Sequence, residues 1–179
     1  MKRLSFTIVA LCAIILVSCH PNRSKELTQI QQYEDSLLHN AAQVIIDTNM
    51  GNQTVALYLQ FANDFPNDSL TPGFIYKAAD ISFNMGKYPA ALDYFNRIID
   101  NYAEYSDLGT CYFMVGETYN CMSQYEQAKE AYQQFIELFP DHPLAKDIRY
   151  QLEHNMVGMS PEEMLSVVME NAAVEDAVL

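Results

Sequence analysis

An all-α fold of about four antiparallel helix pairs, stacked as an α-solenoid, is what this sequence predicts, and three observations carry the prediction. Glycine and proline are scarce, 6 and 7 among 179 residues, whereas an all-β chain needs turn residues roughly every 8–12 positions. Half of the residues are hydrophobic and 12% are aromatic, enough to build a core despite the acidity of the chain. Above all, the chain repeats itself. Phe65-Pro66 returns as Phe139-Pro140 with Tyr102-Ala103 midway, and Ala79/Gly116, Tyr88/Tyr125, Ala91/Ala128, Phe95/Tyr132 and Ile98/Phe135 all stand 37 apart. A period between roughly 20 and 50 in a helical chain means units that bury their faces on their neighbours.

The elements are taken in chain order. A long helix over about Leu27–Asp47 supplies the first unit and turns at Asn49-Met50-Gly51, after which Tyr58, Phe61 and Phe65 keep the common offset. The second unit opens at Phe74–Met85, with Ile75, Ala78, Ala79 and Ser82 on one face, and stops at Gly86, which takes the left-handed conformation that ends a helix. It resumes as Tyr88, Ala91, Leu92, Phe95, Ile98, Ile99 and Tyr102, a spacing of three and four that marks one helical face. The third unit repeats the scheme with Tyr112, Val115, Gly116 and Tyr119, then Tyr125, Ala128, Tyr132, Phe135 and Phe139. Leu144–Met156 and Ser160–Val178 form a last, capping pair. Ser160 as N-cap, Pro161 at the first position and Glu163 closing a capping box start its second helix, whose Met164, Leu165, Val168 and Ala172 make one apolar stripe.

Tyr112, Val115-Gly116, Tyr119, Tyr125, Ala128, Tyr132 and Pro140 resemble the tetratricopeptide repeat, in which small residues let two antiparallel backbones approach and aromatics fill the wedge to the next pair. The resemblance spans roughly residues 35–140; the second copy departs from it at Ser82, where an aromatic is usual, and at Ala103, where a proline is. It implies a right-handed superhelix whose first helices line a concave groove that accepts an extended segment or a helix of a partner. Carried over by position, that face is His39, Gln43, Ile46 and Asp47 in the first unit, Tyr76, Asp80, Phe83 and Asn84 in the second, and Phe113, Glu117, Asn120 and Cys121 in the third. Tyr150 and His154 close it. Each four-residue set has the i, i+4, i+7, i+8 spacing of one helix side, and its rings and amides suit a peptide's apolar side chains and backbone. Phe83 and Phe113 admit a second placement in the core, because aromatics at helical spacing are usually buried.

The amino end reads as an address. Met1-Lys2-Arg3 precedes an apolar run from Leu4 to Val17 that is too short to span a bilayer. It closes in Leu16-Val17-Ser18-Cys19, which resembles the lipobox of bacterial lipoproteins. That resemblance implies cleavage after Ser18, a diacylglyceryl group on Cys19 and an acylated amine, and two or three acyl chains make a stable anchor where one does not. His20 following the cysteine, with no acidic cluster, points by the same resemblance to the outer membrane, with the domain facing the periplasm. The expected organisation is a leader over 1–18, a tether over 19–25 and a helical domain over 26–179, with repeats at about 26–66, 71–103 and 108–140 and a cap over 142–179. Cys111 and Cys121, ten residues apart on one helix, are separated by roughly 15 Å of rise and read as unpaired, packed thiols.

Charge and motifs narrow the function. With 10 Lys plus Arg against 23 Asp plus Glu, the surface repels nucleic acid. The chain holds no G-x-S-x-G, no phosphate-cradling glycine loop and no H-E-x-x-H, and its four histidines stand on separate elements. No cofactor, metal or catalytic residue is expected. His142 reads as an exposed loop residue. The expected function is that of a non-enzymatic, lipid-anchored scaffold for another envelope protein, similar to the tetratricopeptide lipoproteins of outer-membrane β-barrel assembly and the periplasmic coordinator of the Tol-Pal system. The former usually have five repeats, and this chain has at most four. The alternative is an accessory lipoprotein that binds a glycan or nutrient; a hydrolase built from Cys121, His154 and Glu117 comes third.

Overall fold

Pairs of helices running up and down in chain order make up the structure, a computed structural model that describes residues 21–40 and 48–178, with side chains for 21–36 and 48–171. Eight helices and no strand occur among the described residues: α1 (Arg23–Asn40), α2 (Thr48–Asp64), α3 (Thr71–Asn84), α4 (Tyr88–Asn101), α5 (Leu108–Cys121), α6 (Tyr125–Leu138), α7 (Ala145–Glu153) and α8 (Pro161–Val178). None is long and apolar enough to cross a membrane. Cys19, Gln43, Ile46 and Asp47 lie outside the described residues. So does the side chain of His39.

The period in the sequence is the period of the fold. Helices α3 and α5 start 37 residues apart, as do α4 and α6, and α7 starts 37 after α5. Of the repeated positions, Ala79, Ala91, Phe95, Ile98, Ala128, Tyr132 and Phe135 are all essentially closed to solvent. Gly116 shows why one such position must be small: a Cβ there would run into the Tyr132 ring. Ser82, where the repeat usually has an aromatic, is buried too, and its hydroxyl donates to the Ala78 carbonyl at 2.7 Å. Buried Thr54 and Thr118 bond back four residues in the same way, which satisfies each hydroxyl without a partner helix.

Turns repeat as faithfully as cores. At the end of α3, Gly86 has φ 71°, its N–H donates to Phe83, and Lys87 N–H reaches back to Ser82 at 2.9 Å. This is the Schellman closure of a helix. At the end of α5, Ser123 (φ 59°) and Gln124 make the same two bonds, to Asn120 and Tyr119. The longer loops between units also match. Asp68 N–H donates to Phe65 and Thr71 to Asp68; Tyr105 to Tyr102 and Leu108 to Tyr105; His142 to Phe139 and Ala145 to His142, all at 2.9–3.1 Å.

The two ends depart from the scheme. Asn49, Met50 and Gly51 lie inside α2 rather than in a turn. Gly51 stands one period before Tyr88, so this triplet begins a helix, whereas the Asn84-Met85-Gly86 it looks like ends one. The first helix also starts earlier than Leu27, with Asn22 capping it by a side-chain bond to Lys25 N–H at 3.1 Å. It is held on the stack by Ile30, buried against α2 and α3, and by polar groups: Arg23 pairs with Asp68 at 2.5 and 3.2 Å, and Glu34 accepts from Tyr58 at 2.7 Å and Lys77 at 2.6 Å. At the other end α7 is only nine residues long. Asn155, at φ 53°, closes it with the same back-bond, Met156 N–H to Gln151, and Met156 and Val157 tuck into the core. Exposed Glu153 then occupies the period position of Ala79 and Gly116, so α8 cannot pack on α7 as closely as α4 and α6 pack on their partners. The capping box of α8 forms, with Ser160 N–H to Glu163 at 2.7 Å and Glu163 N–H to the Ser160 hydroxyl at 3.3 Å. Its apolar stripe is largely open, with Leu165 58% and Val168 42% exposed.

Candidate protein-binding groove

The expected groove residues fall into register on α3 and α5. Tyr76 and Phe113 occupy equivalent positions, as do Asp80 and Glu117, Phe83 and Asn120, and Asn84 and Cys121. Tyr76 and Phe113 are half-buried: each keeps one face on the core and leaves the rest open. Tyr76 meets Phe95 edge-on at 5.9 Å. Phe113 lies 6.2 Å from Tyr132 and 5.8 Å from Phe135. Phe83 is likewise half-buried, with its ring T-shaped against Tyr88 at 5.4 Å. The two placements that the sequence left open for Phe83 and Phe113 are thus both partly realised.

Polar groups alternate with these rings. Partial burial pushes the Asp80 carboxyl above the ordinary carboxylate range, while the Asn84 amide pulls it back by a hydrogen bond. Burial, and then Asp80, raise the neighbouring Tyr76 hydroxyl. Glu117 accepts the hydroxyl of Tyr132, and burial followed by this carboxylate drives that phenol far up. One carboxylate oxygen of Glu117 is thereby committed to the core. The Asn120 Oδ1 atom is buried without a partner, an acceptor that a bound donor would satisfy.

Tyr150 and His154 stand one period after Phe113 and Glu117. Tyr150 and His154 stack on each other at 4.0 Å, and the Tyr150 hydroxyl accepts from Asn171 of α8 at 3.2 Å, so α8 occupies the fourth register of the groove. Cys121 is exposed rather than packed, and Cys111 is buried. The Cys121 thiol bonds Tyr88, and its pKa is raised, partial burial being the largest cause; a thiol held protonated is a poor nucleophile. Among the described residues no group of three or more His, Cys, Asp or Glu could hold a metal ion; Glu117 acts on the Cys121 thiol, whereas His154 stacks on Tyr150. His142 is half-buried and not an exposed loop residue: it lies edge-on to Phe135 at 5.1 Å and takes the Leu144 N–H on Nδ1 at 3.2 Å.

Sequence reasoning missed two features. One is Glu26, only 8% exposed, whose Oε2 has no partner and whose carboxyl is raised by burial and by Asp64. The other is the set of loop tyrosines and carboxylates between units, for which the only sequence signal was the regular return of the loop itself.

Comparison with known proteins bears on the fold. Residues 74–141, from α3 to the loop after α6, match the tetratricopeptide repeat family model. The search of curated proteins finds no match. Among solved structures, the nearly identical TPR-like repeats of a Podosopora anserina kinesin light chain candidate superpose with a TM-score of 0.52 at 11% identity, over 87% of this chain and 89% of that one. MamA superposes with a TM-score of 0.48 at 18% identity, over 89% and 99%. The fold is therefore an all-α, tetratricopeptide-like solenoid.

Proposed function

We propose that this protein is a non-enzymatic scaffold of the bacterial envelope, held by lipid on Cys19 at the periplasmic side of the outer membrane, and that it receives a peptide or helix of another envelope protein along α3 and α5. Tetratricopeptide repeats mediate protein–protein interaction as a rule, and the family match supports that class of role. The observation that carries the reading is the register on α3 and α5: a half-open ring and a carboxylate recur at the same helical positions one period apart, with an amide beside them at Asn84 and at Asn120. Such a surface offers apolar area and hydrogen-bonding groups to an extended chain. The Leu-Val-Ser-Cys box supports the anchor, and a role in assembling or organising envelope complexes follows from both together.

Two measurements test it. A photo-crosslinking residue at exposed Asn84 should yield a discrete adduct in cells, and the same residue at Gln133, exposed on α6, should not; equal or absent adducts at both sites would remove the groove. Cys19→Ala should abolish labelling by radioactive palmitate and move the protein from the membrane to the soluble fraction with its helical spectrum unchanged. Membrane recovery at full yield would remove the anchor.

A further inference from the structure

Two clefts open between successive inter-unit loops. The larger, about 620 Å³, separates the loop after α2 from the loop after α4, with Pro66, Asp68, Pro72, Tyr102, Glu104 and Tyr105 on its walls. The next, about 410 Å³, separates the loop after α4 from the loop after α6 and is lined by Tyr105, Asp107, Phe139 and His142 among others. Tyr105 borders both. Each loop is held by its repeated backbone bonds, and Tyr102 also ties one loop to the other through its hydroxyl on the Pro66 carbonyl at 3.0 Å. The walls are fixed before any partner arrives, which lowers the cost of binding.

Their chemistry is one-sided. No lysine or arginine lines either cleft, and the walls carry the carboxylates of Asp68, Glu104 and Asp107. Asp68 is committed to Arg23 and to the Leu70 N–H. Asp107 stands with Tyr105 on the second cleft, and burial followed by this carboxylate raises the Tyr105 hydroxyl. Glu104 is exposed and makes no ion pair among the described residues. A second ring, Tyr76, lies 6.3 Å from Tyr105.

We propose that this double cleft binds an arginine side chain presented by an extended segment of a partner protein, with the guanidinium against the Tyr105 ring and its fork on Glu104 and Asp107. A planar cation that stacks on an aromatic face and donates in two directions matches a tyrosine flanked by carboxylates; an ammonium matches it less well. Prolines 66 and 72 supply apolar wall for the residues on either side. The proposal rests on the scaffold reading, since a partner chain supplies the arginine, but it uses the loop edge rather than the faces of α3 and α5.

The test is fluorescence anisotropy on the full chain carrying Cys19→Ala, with a labelled ten-residue Gly/Ser/Pro peptide holding one central arginine. Expected is saturable, salt-sensitive binding that falls about tenfold or more when citrulline, the neutral isostere, replaces arginine. Glu104→Gln with Asp107→Asn should cause a comparable loss, and Glu130→Gln, at an exposed carboxylate of α6, none. Glu104→Gln alone, at an exposed site, gives a partial loss free of any folding effect. No saturable binding, equal binding of the citrulline or lysine peptide, or a loss caused equally by Glu130→Gln would each overturn the proposal. The adduct at Asn84 reports separately on the scaffold.

Discussion

Glu26 is the residue at which this fold is least at ease. It sits in the first turn of α1 against Asp64 at the end of α2, buried, with one oxygen unpaired. Burial first and the neighbouring carboxylate second raise its pKa, so between the ordinary glutamate range and that raised value the folded state keeps a proton that the unfolded chain releases. Stability at this site is therefore greatest in acid and is lost as pH rises through the folded pKa. Glu26→Gln removes the effect. It should raise Tm at pH 7 and leave Tm nearly unchanged at pH 3, as thermal melts at the two values will show; a variant less stable at pH 7 would mean that the ionised carboxylate is stabilising. Nothing in the sequence announced this residue, because the contact that buries it belongs to a helix that does not follow the repeat. The repeated small residues were legible for the opposite reason. Gly116 and Ala128 recur at positions where only a small side chain fits, and steric exclusion leaves a trace in composition that a single buried carboxylate does not.

Among elements, the helix ends are the most informative. Gly86 and Ser123 make the same closure one period apart with φ of 71° and 59°, yet only glycine reaches that region without a clash between Cβ and backbone, a cost of roughly 1–2 kcal/mol for other residues. Part of the gain from glycine is returned as unfolded-state entropy. Ser123→Gly should thus stabilise by up to about 1 kcal/mol and raise Tm by about 2–4 °C; an unchanged or lowered Tm would show that the serine side chain contributes at the turn. The capping box of α8 was readable because it depends on a few adjacent residues. Two element-level readings went differently, each because similar residues occupied another place in the period. Asn49-Met50-Gly51 copies a helix end at a position where a helix begins, and α7 stops short because Asn155 takes the left-handed conformation five residues before the period would place it. The stripe of α8 was legible as one face, but spacing says which residues share a face, not whether another helix has room to cover it.

For the whole molecule, order should fall off towards both ends of the stack. Helices α3 to α6 share a continuous core, whereas α8 is joined to the stack by the Tyr150–Asn171 bond and the open cleft with α7. In a solenoid each unit is stabilised by its immediate neighbours. Ending the chain after residue 159 should therefore lower Tm by no more than about 4 °C, and hydrogen exchange should show unchanged protection in α3–α6; a collapse of that protection would make α8 part of the core. The first helix responds to pH in the opposite sense to Glu26 alone. The Asp68 and Glu34 carboxyls are held below their ordinary values by Arg23 and by Lys77 with Tyr58, against the opposing effect of burial on Glu34. What those pairs contribute is present above the ordinary carboxylate range and is lost as pH falls through the lowered values.

The loop bonds at Asp68/Thr71, Tyr105/Leu108 and His142/Ala145 have a constructive corollary. Because each junction presents the same hydrogen-bonding edge to the next unit, residues 71–107 form an interchangeable cassette. A second copy spliced at Leu108 would meet its own kind on both sides, lengthening the molecule by one step without a new joint.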